Sequence, residues 1–142
     1  MSNQSRKLAG ILLIIMPTVL YGGISLLQFL INDPAYSANQ LRQDLFRAGH
    51  THAGVLVVLS LTSLKYVDET TLTDSLKAIV RSFIPASAIL LPAGFFFSVF
   101  DANATKPNGF INLAYGGAVL LAAGLVILGI GLVRSPDREE KH

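Results

Sequence analysis

Four stretches of this chain carry no ionised side chain apart from histidine: Leu8 to Asn32 (25 residues), Ala48 to Leu64 (17), Ser82 to Phe100 (19) and Pro107 to Val133 (27). Crossing a bilayer takes roughly 20 residues of helix, because in hydrocarbon every backbone polar group must be satisfied within the segment. Three gaps reach that length outright. The second reaches it if its helix starts upstream, where Ser37 and Gln40 have capping-box spacing ahead of Leu41, Leu45 and Phe46. The expected fold is therefore all-α, an integral membrane four-helix bundle forming one domain over 1–142, with spans at about 8–32, 45–65, 78–100 and 108–133. Composition agrees: 51% of the 142 residues are hydrophobic and 14% are charged, against about 25% charged in soluble domains. Arg6 and Lys7 begin the chain like a secretory signal. The apolar run behind them is too long for a signal core, and Pro34 to Ala38 makes a poor cleavage site, so this segment is expected to stay as an anchor.

Lysine and arginine set the expected orientation, since they accumulate on cytoplasmic flanks. With both termini inside, the inner segments hold Arg6, Lys7, Lys65, Lys77, Arg81, Arg134, Arg138 and Lys141, and the outer loops hold Arg42, Arg47 and Lys106. The expected location is a cytoplasmic membrane of bacterial type with both termini cytoplasmic, and the lipid bilayer is the first partner. The net charge of +2 is spread over the flanks, which gives no basic patch for nucleic acid. With no cysteine there is no disulfide, thiolate metal site or iron–sulfur cluster.

Proline and glycine shape the expected helices. Pro17 in the first span and Pro85 and Pro92 in the third each remove a backbone hydrogen bond and favour a kink, with Ser82 and Ser87 near enough to serve a freed carbonyl. A capping-box spacing of Thr71 and Asp74 suggests that the third helix begins at Leu72. In the fourth, Gly117, Gly124 and Gly131 recur every seven residues beside Ala114, Leu121 and Leu128. A stripe of small residues lets backbones approach closely in lipid, so it is a contact face for the first span, the second span or another copy of the chain, with an internal partner favoured. Gly22-Gly23 and Gly116-Gly117 read as packing elements, not phosphate loops.

The candidate site is the sequence Arg47-Ala48-Gly49-His50-Thr51-His52-Ala53-Gly54. Ionisable side chains at the edge of an apolar span are costly unless used or satisfied. Positions 50 and 52 point about 200° apart on a helix and cannot chelate one ion together. His52 lies with the small and polar stripe Gly49, Ala53, Leu56, Ser60 and Ser63 and is expected to face inward, and His50 to meet headgroups or loops. Tyr21 offers a buried hydroxyl to His52 or a helix-two serine. Asp101, Asn103 and Asn108 follow the Phe95 to Phe97 run and are candidates to close a pocket over His52. Asp44 and Arg47 form an interfacial ion-pair ladder on the outer part of the same helix, ahead of His50. The His50-Thr51-His52 opening resembles helix starts of haem-copper-oxidase-like membrane proteins over eight residues. The further histidines of those proteins are missing, and no property carries over.

No catalytic motif stands out, and no cofactor is expected. A haem or metal ion at His52 is the alternative, although a bis-histidine haem within one chain lacks its second ligand, the remaining His142 being the last residue. No acidic group lies in the middle of a span, against a buried carboxylate proton relay. The expected function is an accessory, assembly or scaffold subunit of a membrane complex, with a membrane-protein partner or a homo-oligomer. The alternative is a binding or transport module with a pocket at His52.

Overall fold

Ser2 starts the first helix: in the computed structural model, which describes residues 1–135, its Oγ accepts from the Ser5 amide at 3.2 Å, and α1 runs Asn3–Asn32. Asp33 ends α1 and caps the single-turn α2, Pro34–Ser37, whose proline fits a first helical turn. Asn39 then caps α3, Gln40–Tyr66, through its Oδ1 on the Arg42 amide, 3.1 Å. A 3-10 turn at Val67–Glu69 follows, and Thr73 caps α4, Asp74–Ser98. The last helix, α5, spans Ile111–Val133. Two expected caps are corrected. Ser37 belongs to α2, and Asn39 does its work; Thr71 gives way to Thr73, because each helix begins at the side chain that reaches the first free amides.

The described residues are all helix and connection, with no strand, and α1, α4 and α5 are long and apolar enough to cross a membrane. At 27 residues α3 is long enough but less apolar. Its first two turns carry Arg42, Gln43, Asp44 and Arg47. Both α1 and α4 continue as helix through their prolines. Ser87 donates to Ile84 O at 2.6 Å, not to a carbonyl freed by proline, and Ser82 is exposed. His142, Arg138 and Lys141 lie outside the described residues.

Successive long helices run antiparallel, with α3 and α4 in the middle, α1 flanking α3, and α5 packed along α4. The glycine stripe faces α4 and, at Gly131, Leu72 just ahead of it, which corrects the expected partner from the first or second span to the third. A methyl group on Gly117 would stand 2.9 Å from the Leu91 amide nitrogen, on Gly124 2.7 Å from Ile84, and on Gly131 2.7 Å from Leu72. Gly94 of α4 answers from the other side, its Cα against the Ala114 backbone. Without side chains between them the backbones close up and gain dispersion along their length. Helix α1 is held more lightly: only Ser5 and Leu12 of its 30 residues are buried.

Candidate functional site

Because α3 has a neighbour on each side, its two histidines go to different neighbours. The His50 ring enters a notch in α1 formed by Gly22 and Gly23. A methyl group on Gly23 would meet Nε2 at 2.9 Å, and one on Gly22 would meet Nδ1 at 3.6 Å. His52 turns toward α4, its ring centroid 5.2 Å from that of Phe95. Its Nδ1 lies 2.7 Å from Ala48 O. A carbonyl only accepts, so Nδ1 carries a proton and is committed to Ala48 O, which leaves Nε2 as the ring nitrogen free to meet a ligand. The expected contrast between an inward His52 and a headgroup-facing His50 is thereby corrected: both are half-buried at helix contacts. Each face supplies one imidazole. Among the described residues no three His, Asp or Glu side chains come together to hold a metal.

The other candidates do not gather around His52. Tyr21 is 70% exposed, which overturns its expected burial. The serines of α3 satisfy themselves, Ser60 donating to Leu56 O at 2.7 Å and Ser63 to Leu59 O at 2.8 Å. In the exposed α4–α5 connection, Asp101 Oδ1 accepts from the Asn103 amide at 2.8 Å. Asn108 ties the connection to the end of α4: its backbone amide donates to Ser98 O (2.8 Å) and its Nδ2 to Phe97 O (3.0 Å). These bonds shape the connection. Asp44 and Arg47 meet at 3.9 Å with more than half of each side chain exposed, a solvated pair that contributes little stability.

Two polar centres that sequence reasoning missed lie at opposite ends of the molecule. At one, Arg42 is 9% exposed, and its Nε donates to Val99 O (3.1 Å) and Nη2 to Phe100 O (3.5 Å), capping the end of α4. Its guanidinium carbon lies 5.7 Å from the centre of the Tyr36 ring and 5.3 Å from that of Phe46. Cation–π attraction and the carbonyl end of α4 favour the charge where no carboxylate is bonded to it. Burial raises the Tyr36 hydroxyl's pKa against the lowering influence of Arg47 and Arg42. Gln43 Nε2 donates to Tyr36 O and Ser37 O, fastening α2 to α3.

At the other end, Arg81 of α4 meets Asp68 at 2.5 Å with side chains 9% and 13% exposed. Its Nε donates to Ser5 Oγ (3.0 Å), Nη1 to Gln4 Oε1 (3.3 Å) and Nη2 to Ser2 Oγ (3.3 Å). The Ser2 amide donates to the other Asp68 oxygen, 2.6 Å. Burial works to raise the Asp68 pKa, but the Ser2 amide and the Arg81 guanidinium, with the Ser5 and Ser2 hydroxyls, outweigh it and hold the pKa at about 2. The sequence signal was there only in part: Arg81 stands at the boundary of an apolar run and Asp68 in a short connection, 13 residues apart.

No family model, curated protein or solved structure matches the chain. Over the described residues the fold defines the class: an all-helical protein with three helices long and apolar enough to cross a membrane.

Proposed function

We propose that this chain is an integral membrane protein of four crossing helices with both termini cytoplasmic, and that it serves as a non-catalytic subunit of a membrane complex, docking a partner helix along α1. Tyr21 carries the reading. It sits near the middle of the 25-residue apolar run of α1 and is 70% exposed. A hydroxyl at mid-bilayer with only acyl chains around it loses its hydrogen bond to water and gains none in return. A partner helix with a polar group at that depth supplies one. The other hydroxyls along this part of α1 are satisfied, Thr18 by Ile15 O at 2.7 Å and Ser25 by Tyr21 O at 3.0 Å, so within α1 the demand falls on Tyr21.

Further support comes from the distribution of charge. Arg6, Lys7, Lys65, Lys77, Arg81 and Arg134 lie toward the N-terminal end, against Arg42, Arg47 and Lys106 at the other, the bias expected of a cytoplasmic N-terminal end. α3, between two apolar antiparallel helices, crosses with them.

The test replaces Tyr21 with a photocrosslinking amino acid in cells. A single discrete protein adduct, whose partner co-purifies with the wild-type chain and is lost with Tyr21→Leu, supports the reading. Lipid adducts alone overturn it, and an adduct with the same chain replaces the partner with a second copy. Since the chain has no cysteine, single cysteines at Ser37, Thr105 and Thr71 read orientation with a membrane-impermeant maleimide: the first two label from outside, the third does not.

The second reading, a binding module at His52, draws on the commitment of Nδ1 to Ala48 O, which turns the other ring nitrogen outward from that bond, and would use one imidazole on a metal or haem. His52→Ala then removes a Soret band or a stoichiometric metal from the purified protein.

A further inference from the structure

Between α1 and α4 lie two adjoining hollows that share Leu8. One, about 300 Å³, is lined by Gln4, Lys7, Ala78, Arg81 and Ser82. The other, about 230 Å³, runs deeper and is apolar, with Ile11, Ile15, Val57, Pro85 and Ala86 among its walls. Helices α1 and α4 are joined at the Arg81–Ser5 bond and do not pack on each other along their length. Beyond that clasp α3 forms the back wall, and the small side chains Ala53, Ala86 and Ala88 leave room.

We propose that this paired hollow holds one anionic phospholipid, the phosphate at the polar mouth and an acyl chain in the slot. The chemistry of the mouth is one-sided. Gln4 gives its Oε1 to Arg81 and keeps its amide NH₂ as a donor, Ser82 brings a hydroxyl, and Lys7 brings an ammonium. No carboxylate lines it; Asp68 is bonded to Arg81 and the Ser2 amide. Arg81 is neutralised by that pair, so Lys7 supplies the net charge that a phosphate meets. The slot has the opposite character, and a single molecule with an anionic head and a hydrocarbon tail satisfies both. This rests on the membrane reading above.

Native mass spectrometry of the full chain in detergent, titrated with dioleoylphosphatidylglycerol or dioleoylphosphatidylcholine, tests it. One phosphatidylglycerol should be retained in preference to phosphatidylcholine. Lys7→Gln, an exposed position that leaves the fold intact, should lower that preference about fivefold, the weight of one basic residue at an anionic surface. Lys65→Gln, the same charge change outside the hollow, should leave it unaltered. Ala86→Phe fills the slot and should abolish retention of either lipid. Equal retention of the two lipids, an equal effect of Lys7→Gln and Lys65→Gln, or unchanged retention in Ala86→Phe overturns the site. If the cysteine labelling pattern is kept while the lipid preference is absent, the lipid site fails and the membrane topology stands.

Discussion

Arg81 and Asp68 form a nearly buried ion pair, 2.5 Å apart, that also receives the N-terminus through Ser2, Gln4 and Ser5. One residue on α4 thus anchors the start of α1 and the turn after α3. Removing a single partner leaves the other charge buried without compensation. Arg81→Gln and Asp68→Asn should each lower stability by about 3 kcal/mol, the low end for a buried pair because both keep some contact with solvent. Arg81→Met combined with Asp68→Leu should recover part of that loss. Thermal unfolding in detergent measures all three; equal melting of wild type and single variants would refute the clasp.

The same pair has a pH signature. The folded pKa of Asp68, about 2, lies below its ordinary 3.8, so the unfolded chain takes up the proton first as pH falls. The stabilisation is therefore complete above about pH 5 and is lost as pH drops through 3.8 toward 2. Its full size is roughly 2 kcal/mol. Wild type should lose most of its advantage over Asp68→Asn across that window, read from melting curves at stepped pH.

Glycines in α5 fall into two groups. Gly117, Gly124 and Gly131 have α4 or Leu72 within van der Waals reach of an added methyl, while Gly116 and Gly129 have open space. Gly117→Val and Gly124→Val should cost about 1–3 kcal/mol through overpacking, and Gly129→Ala should be neutral within about 0.5 kcal/mol. Gly94→Ala should be the most damaging single methyl, because it meets the Ala114 backbone, which has no rotamer with which to yield. Melting temperatures that ignore this division would place the contact elsewhere.

The parts of this structure that were legible in the sequence are those that lipid-compatible composition writes locally. The charge-free runs located α1, α4 and α5, and the seven-residue glycine spacing marked the contact face of α5. That spacing carried no information on the partner, which is α4 through Leu91, Ile84 and Gly94. The site was less legible. A periodic stripe gives an angle around one helix, and inwardness depends on how many neighbours that helix has. Around α3 both stripes are covered, Gly49 by Phe96 and His50 by Gly22 and Gly23, so a choice between two faces had no correct answer. Tyr21 failed for the complementary reason, since α1 has one covered side and that tyrosine is off it. The bond between Arg81 and Ser5 joins residues 76 apart, a pairing fixed by the register of two helices and by no local pattern.

Arg42 should prove intolerant even of lysine. Its guanidinium spans the Val99 and Phe100 carbonyls and lies over two aromatic rings, a planar arrangement that a single ammonium does not reproduce. Arg42→Lys and Arg42→Leu should each destabilise by about 2–3 kcal/mol by leaving buried carbonyls without donors. Amide hydrogen exchange should rise at residues 99–104 before it rises in the middle of α4. Exchange that rises uniformly along α4 would show that Arg42 does not hold the end of that helix.

The His50 notch can be tested against itself. A methyl on Gly23 would meet the imidazole at 2.9 Å, whereas one on Gly22 would make an ordinary contact at 3.6 Å. Gly23→Ala should therefore cost about 1–2 kcal/mol in the wild type, through displacement of the ring or separation of α1 from α3, and Gly22→Ala should cost little. In a His50→Ala background the obstruction is gone, and Gly23→Ala should be nearly free. The coupling between the two substitutions, read from a double-mutant cycle of unfolding free energies, should then be about as large as the single Gly23→Ala effect. Additive effects would mean that the imidazole of His50 does not occupy the α1 notch and that α1 is attached to α3 by other contacts.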